Sequence, residues 1–184
     1  MLLIWAMLRV RLRFRSAYRK QMRPFTSTPR VLISHGRVRW YEQIEPVCCE
    51  FQGLVHEIKS SLVVAPSKMI AGHGATPVVC TAIWDTGAAC SVVSSEVVRQ
   101  LNLPALGKKP VHTANGMYLA NVYSVDVMLP NKLVVSGVEV TDSDLKLCDA
   151  LIGMDVIALG DMKVSNKGNT KFTFRIPSEG DDPM

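Results

Sequence analysis

Hydrophobic and polar positions change their rhythm partway along the chain. Residues 42–75 are weakly patterned and end in the loop-like stretch AGHGATP. From Val78 the pattern becomes regular. VVCTAIW (78–84) is a short apolar run rich in β-formers, which predicts a buried strand. SSEVVRQLNLP (94–104) offers Ser94 or Ser95 as N-cap, Val97, Val98 and Leu101 on one face, and Pro104 beyond the end, which predicts one short helix. KPVHTANGMYLANVYSVDVMLPN (109–131) centres on Asn115-Gly116, a pair that tolerates φ > 0 at both positions of a tight turn and so predicts a hairpin.

The later segments read in the same way. VYSVDVML (122–129) alternates in part and stops at Pro130-Asn131, and LVVSGVEVTD (133–142) is a strand pair or a strand bent at Gly137. DALIGMDVIALGD (149–161) reads as a buried strand, a glycine and a short helix. MKVSNKGNTKFTFRIP (162–177) reads as a closing hairpin turning at Lys167-Gly168-Asn169. Short strands with two short helices fit an all-β, barrel-like domain better than a βαβ sheet. The expected organisation is a basic arm at 1–41, a mixed linker or N-terminal extension at 42–75, the domain at 76–177 and a tail at 178–184.

Charge changes the picture of the arm. The net +5 is unevenly spread: ten of the 21 Lys and Arg lie in residues 1–41, which hold no acid. The rest of the chain keeps 11 basic against 16 acidic side chains, a net −5. The basic character of the whole chain therefore gives no reason to expect nucleic-acid binding by the core. MLLIWAML is too short to span a membrane, and its charges follow the apolar stretch, the reverse of a secretory signal. VRLRFR after it is compatible with an edge strand, a basic arm for an anionic surface, an Arg-rich presequence, or a start placed too far upstream. Five cysteines with no C-x-x-C, and four scattered histidines, give no disulfide framework and no metal spacing. The expectation is reduced, mostly buried thiols in a cytoplasmic protein without metal or cofactor.

The chemistry centres on AIWDTGA (82–88), where Asp85 directly follows a core-bound strand. A carboxylate there is costly unless it is paired, solvated or protonated. Thr86-Gly87 would also suit an ordinary turn. Apolar strand, Asp-Thr-Gly-Ala, a hairpin about Asn115-Gly116, then Leu151-Ile152-Gly153 before MDVIALG: in combination this resembles the retropepsin-like, single-domain aspartic proteases. The resemblance covers roughly residues 76–177 and extends to bacterial and phage-type members through the closing GDMKVSNKGNTKFTFRIP.

The resemblance implies a retropepsin-like barrel and an aspartic endopeptidase that needs no cofactor. Asp85 would be catalytic, within the active-site loop of Thr86, Gly87 and Ala88. Thr113, Ala114, Asn115, Gly116 and Met117 would form a flap over the substrate, and Leu151, Ile152 and Gly153 would pack behind the loop. Hydrolysis by two carboxylates sharing one proton explains why the residue is an aspartate, and it favours a rate that leans acidic. The chain has one Asp-Thr-Gly; DSD at 142–144 lacks the glycine, and Asp155 reads as a helix-start residue. The second carboxylate would then come from a second copy, so the expected partners are the chain itself as a homodimer and a peptide or protein substrate.

The residues also admit plainer readings. Asp85 could be a turn residue, and Asn115-Gly116 an ordinary hairpin. Trp84 reads as core or cleft wall, Cys90 and Ser91 as packing, Tyr118 and His112 as surface. Phosphoryl-transfer readings fail, since Asp-x-Asp is broken by Gly87 and Asp-Lys-Thr-Gly lacks its lysine. The competing class is a catalytically silent module of the same fold that dimerises or binds peptides.

Overall fold

The segment ending in Trp84 sets the frame. In a computed structural model of the chain, residues 30–31, 33–34, 37–38, 45–67, 76–113, 116–176 and 178 are described. In chain order the strands are β1 (Arg30–Val31), β2 (Ile33–Ser34), β3 (Arg37–Val38), β4 (Val47–Glu50), β5 (Lys59–Pro66), β6 (Val78–Trp84) and β7 (Val92–Ser94). They continue with β8 (Gly107–Thr113), β9 (Gly116–Met128), β10 (Val134–Ser143), β11 (Ala150–Ile152), β12 (Asp161–Ser165) and β13 (Lys171–Arg175). The helices are α1 (Ser95–Leu101) and α2 (Met154–Ile157). The fold is mostly β with two short helices among the described residues, as the sequence pattern predicts.

The main sheet runs β1-β10-β7-β11-β6-β5-β9-β8, and β9 also pairs with β10. That extra pairing joins β9, β10, β7, β11, β6 and β5 into a closed ring, which leaves none of its members with an open edge throughout. Strands β12, β13 and β4 form a second, three-stranded sheet. Phe172 and Phe174 of β13 carry it onto the core, where both rings meet Trp84, at centroid distances of 4.9 and 4.7 Å. The Trp84 indole N–H donates to Ser60 Oγ at 2.9 Å, so its one polar atom is satisfied inside the core. Trp84 is thus core.

Local chemistry explains the elements. Ser94 caps α1 through its side-chain oxygen, accepting from Val97 N–H, and Asn102 ends the helix in the left-handed region at φ 48°. Strand β10 bends where its pairing with β9 slips between Val135 and Val138, and Gly137 there has φ +71°. Asp126 on β9 pins the bend by accepting from Gly137 N–H at 3.0 Å.

Two expectations change. Within the stretch read as a linker or N-terminal extension, residues 45–67 take part in the sheets: β5 lies between β6 and β9 in the ring and β4 completes the second sheet. The apolar run of β5 is short and closes on Pro66, so it carries little strand signal of its own, yet Leu62, Val63 and Val64 are buried. The sequence predicts mostly buried thiols, but only Cys80 is fully buried; Cys49, Cys90 and Cys148 are half-buried and Cys48 is exposed. Among the described residues, no helix is long and apolar enough to cross a membrane.

Candidate active site

Strand β6 leaves the core at Trp84, and the chain turns at once through Asp85-Thr86-Gly87-Ala88. Burial falls from Trp84 to a half-buried Asp85 and then to exposed Thr86 and Gly87. The carboxylate therefore sits at the lip of the core with access to solvent, which removes most of the cost of burying a charge. Gly87 N–H donates to Asp85 Oδ1 at 2.9 Å, and Ala88 N–H donates to the Asp85 carbonyl at 3.2 Å. A methyl group on Gly87 would stand 3.2 Å from that same carboxylate oxygen, so the glycine lets backbone approach the acid closely.

Leu151, Ile152 and Gly153 lie beside this loop. Strand β11 runs parallel to β6, with Leu151 opposite Ile83 and Ile152 opposite Trp84. The next backbone bond runs from Asp85 N–H to the Ile152 carbonyl at 2.9 Å, so the ladder continues onto the aspartate itself. Gly153 then passes against the far side of the loop. A Cβ there would stand 2.6 Å from the Cys90 carbonyl carbon and 2.9 Å from the Ala88 carbonyl oxygen. Those neighbours are backbone and cannot swing aside. Gly153→Ala should lower stability by roughly 1–3 kcal/mol through overpacking. Thermal unfolding read by circular dichroism checks this, and an unchanged midpoint would show that the loop yields freely.

Sequence reading missed a polar brace across this junction. The Ser91 hydroxyl, 2% exposed, donates to Asp155 Oδ1 at 2.7 Å and accepts from Gly153 N–H at 3.1 Å. Ser91 N–H donates to Asp155 Oδ2 at 2.9 Å, and Met154 N–H to the Ala88 carbonyl at 2.8 Å. Asp155 does stand in the first turn of α2, and there it also fastens the end of the Asp85 loop. Ser91 is more than packing. Its partner lies 64 residues away, so no local pattern could have revealed the pair.

The predicted hairpin is β8–β9, with Thr113 opposite Gly116 and the Thr113 hydroxyl donating to the Gly116 carbonyl at 3.0 Å. Ala114 and Asn115 lie outside the described residues. Met117 and Leu119 are 63% and 65% exposed, an unusual cost for apolar side chains on a strand, and Tyr118 and His112 are exposed as well. Thr86 is exposed, and among the described residues its hydroxyl has no partner within the chain.

Other nucleophiles and ligands are poorly placed. Burial, with Asp149 nearby, pushes the Cys80 thiol up to about 12, and burial also raises Cys49 and Cys148. These thiols stay protonated and weakly nucleophilic. Among the described residues no three His, Cys, Asp or Glu side chains gather as a metal site.

Residues 74–158 match the family described as gag-polyprotein putative aspartyl protease. The matched segment holds Asp85, the β8–β9 hairpin and Gly153. Among solved structures, a retropepsin-like aspartic protease from Rickettsia conorii is similar, with 12% identity over 75% of this chain and 99% of that one, at a TM-score of 0.47. The simian foamy virus (mac) protease is similar at 18% identity over 54% of this chain and 92% of that one, with a TM-score of 0.37. No curated protein matches the chain in sequence.

Proposed function

We propose that the chain is an aspartic endopeptidase whose working form is a homodimer with the two Asp85 side chains facing each other across a two-fold axis. The observation that carries this reading is the setting of Asp85. It is held at the end of a core strand by backbone bonds to Ile152 and Ala88, with its carboxylate open to solvent. A turn aspartate would not need that bracing from a segment far along the chain.

In this reading one carboxylate is ionised and the other protonated, since two close acids do not both ionise. The ionised one takes a proton from the bound water as the water oxygen attacks the peptide carbonyl carbon. The protonated one donates to the carbonyl oxygen, giving a tetrahedral diol. Proton transfer to the nitrogen and loss of the amine then break the C–N bond. The β8–β9 hairpin covers the peptide, and the exposed Thr86 hydroxyl braces the partner's loop.

The test is incubation of the full chain with a peptide library, with products read by mass spectrometry. Cleavage should appear, and specific activity should fall on dilution as monomers form, tracked by sedimentation in parallel. A stable monomer with full activity at nanomolar concentration would exclude the shared site. A dimer that binds peptides and cuts none would leave the silent module.

A further inference from the structure

Lys109 is a cation on the inner side of the hairpin with no acid among the described residues to answer it. Along β8 the exposure alternates: Lys109 and Val111 are half-buried, while Lys108, Pro110 and His112 are exposed. Lys109 therefore shares the face turned toward the body of the domain. Opposite it on β9 stands Ala120, buried and too small to fill the space beside a lysine. The Lys109 Nζ reaches Cys90 Sγ at 3.3 Å. Cys90 closes the Asp85 loop, five residues past the aspartate and against Gly153.

Sulfur is a weak acceptor, whereas an ammonium has three donors. The ion pairs among the described residues involve Lys59, Arg99, Lys146 and Lys171, so Lys109 has no carboxylate within 4.0 Å among those residues. A half-buried cation between the hairpin and the active-site loop is thus short of a strong acceptor. Five extended residues span at most about 17 Å. The bond from Ala88 N–H back to the Asp85 carbonyl folds the loop shorter. A peptide lying under β8 would bring a side chain within about four residues of its scissile bond to this ammonium.

We propose that Lys109 is a specificity-determining residue that selects peptides with a Glu or Asp side chain within about four residues of the cut. This rests on the peptidase reading above. A side-chain carboxylate would displace the thiol as acceptor and make a charge-assisted hydrogen bond. In a symmetric dimer the second Lys109 stands on the other side of the scissile bond, so acidic residues would be favoured on both arms of the peptide.

The test uses full-length chain and peptide sets that differ only by Glu, Gln or Lys at one position. At one or more positions near the cut, wild type should show kcat/KM roughly tenfold higher for Glu than for Gln. Lys109→Met should bring that ratio to about one, Lys109→Arg should keep it, and Lys109→Glu should favour the Lys peptides. Wild type that cuts Glu, Gln and Lys peptides alike overturns the proposal while leaving the peptidase intact, and so does a preference that survives in Lys109→Met and Lys109→Glu. A wild type that cuts none of a broad library removes the peptidase reading and this proposal with it.

Discussion

Asp85→Asn should lose peptide cleavage by at least about a thousandfold while the protein still folds. Asparagine has the size of aspartate, and its side-chain oxygen can still accept from Gly87 N–H, the bond that Asp85 Oδ1 accepts at 2.9 Å. The backbone bonds from Asp85 N–H to Ile152 and from Ala88 N–H to the Asp85 carbonyl do not involve the side chain. The loop should therefore keep its shape, and the thermal midpoint should stay close to that of wild type. In the proposed dimer, association should be unchanged or tighter, because two carboxylates no longer have to share one proton at close range. The amide can neither give nor take the shared proton. That combination, activity lost and fold kept, separates catalysis from turn chemistry. An Asp85→Asn chain that cleaves at the wild-type rate would end the protease reading.

What the sequence made legible follows from how local the responsible forces are. Strand β6, helix α1 with its Ser94 cap, the β8–β9 hairpin and the bend at Gly137 all rest on neighbours within a few residues. The Asp85 loop was readable too, because a carboxylate after VVCTAIW contradicts its own surroundings. What escaped is held by partners far along the chain. Ser91 and Asp155 meet only once β7 and β11 pair. Lys109 gains meaning only when the hairpin lies against Cys90. Strand β5 was missed for a related reason: its apolar run is short and closes on Pro66, and its place shows only once β6 and β9 pair on either side of it.

Strand β5 also makes the expected boundary at residue 76 a matter of folding. A chain beginning at residue 76 should show no cooperative unfolding transition, whereas one beginning at residue 45 should keep it. Removing β5 strips six paired positions from β6 and four from β9 and opens the ring between them. It also takes Leu62, Val63 and Val64 from the core, with Val47 of β4 lost from the second sheet. Each such side chain contributes about 1.5–3 kcal/mol on burial. Four of them approach the roughly 5–15 kcal/mol that separates a whole domain from its unfolded state. The loss of Ser60 leaves the Trp84 indole N–H without its acceptor, one residue before Asp85. The chain beginning at residue 45 keeps every strand of the closed ring and all of the second sheet. Circular dichroism through a urea titration distinguishes the two chains. A sharp transition in the chain that starts at residue 76 would show that β6 and β9 can close the barrel without β5.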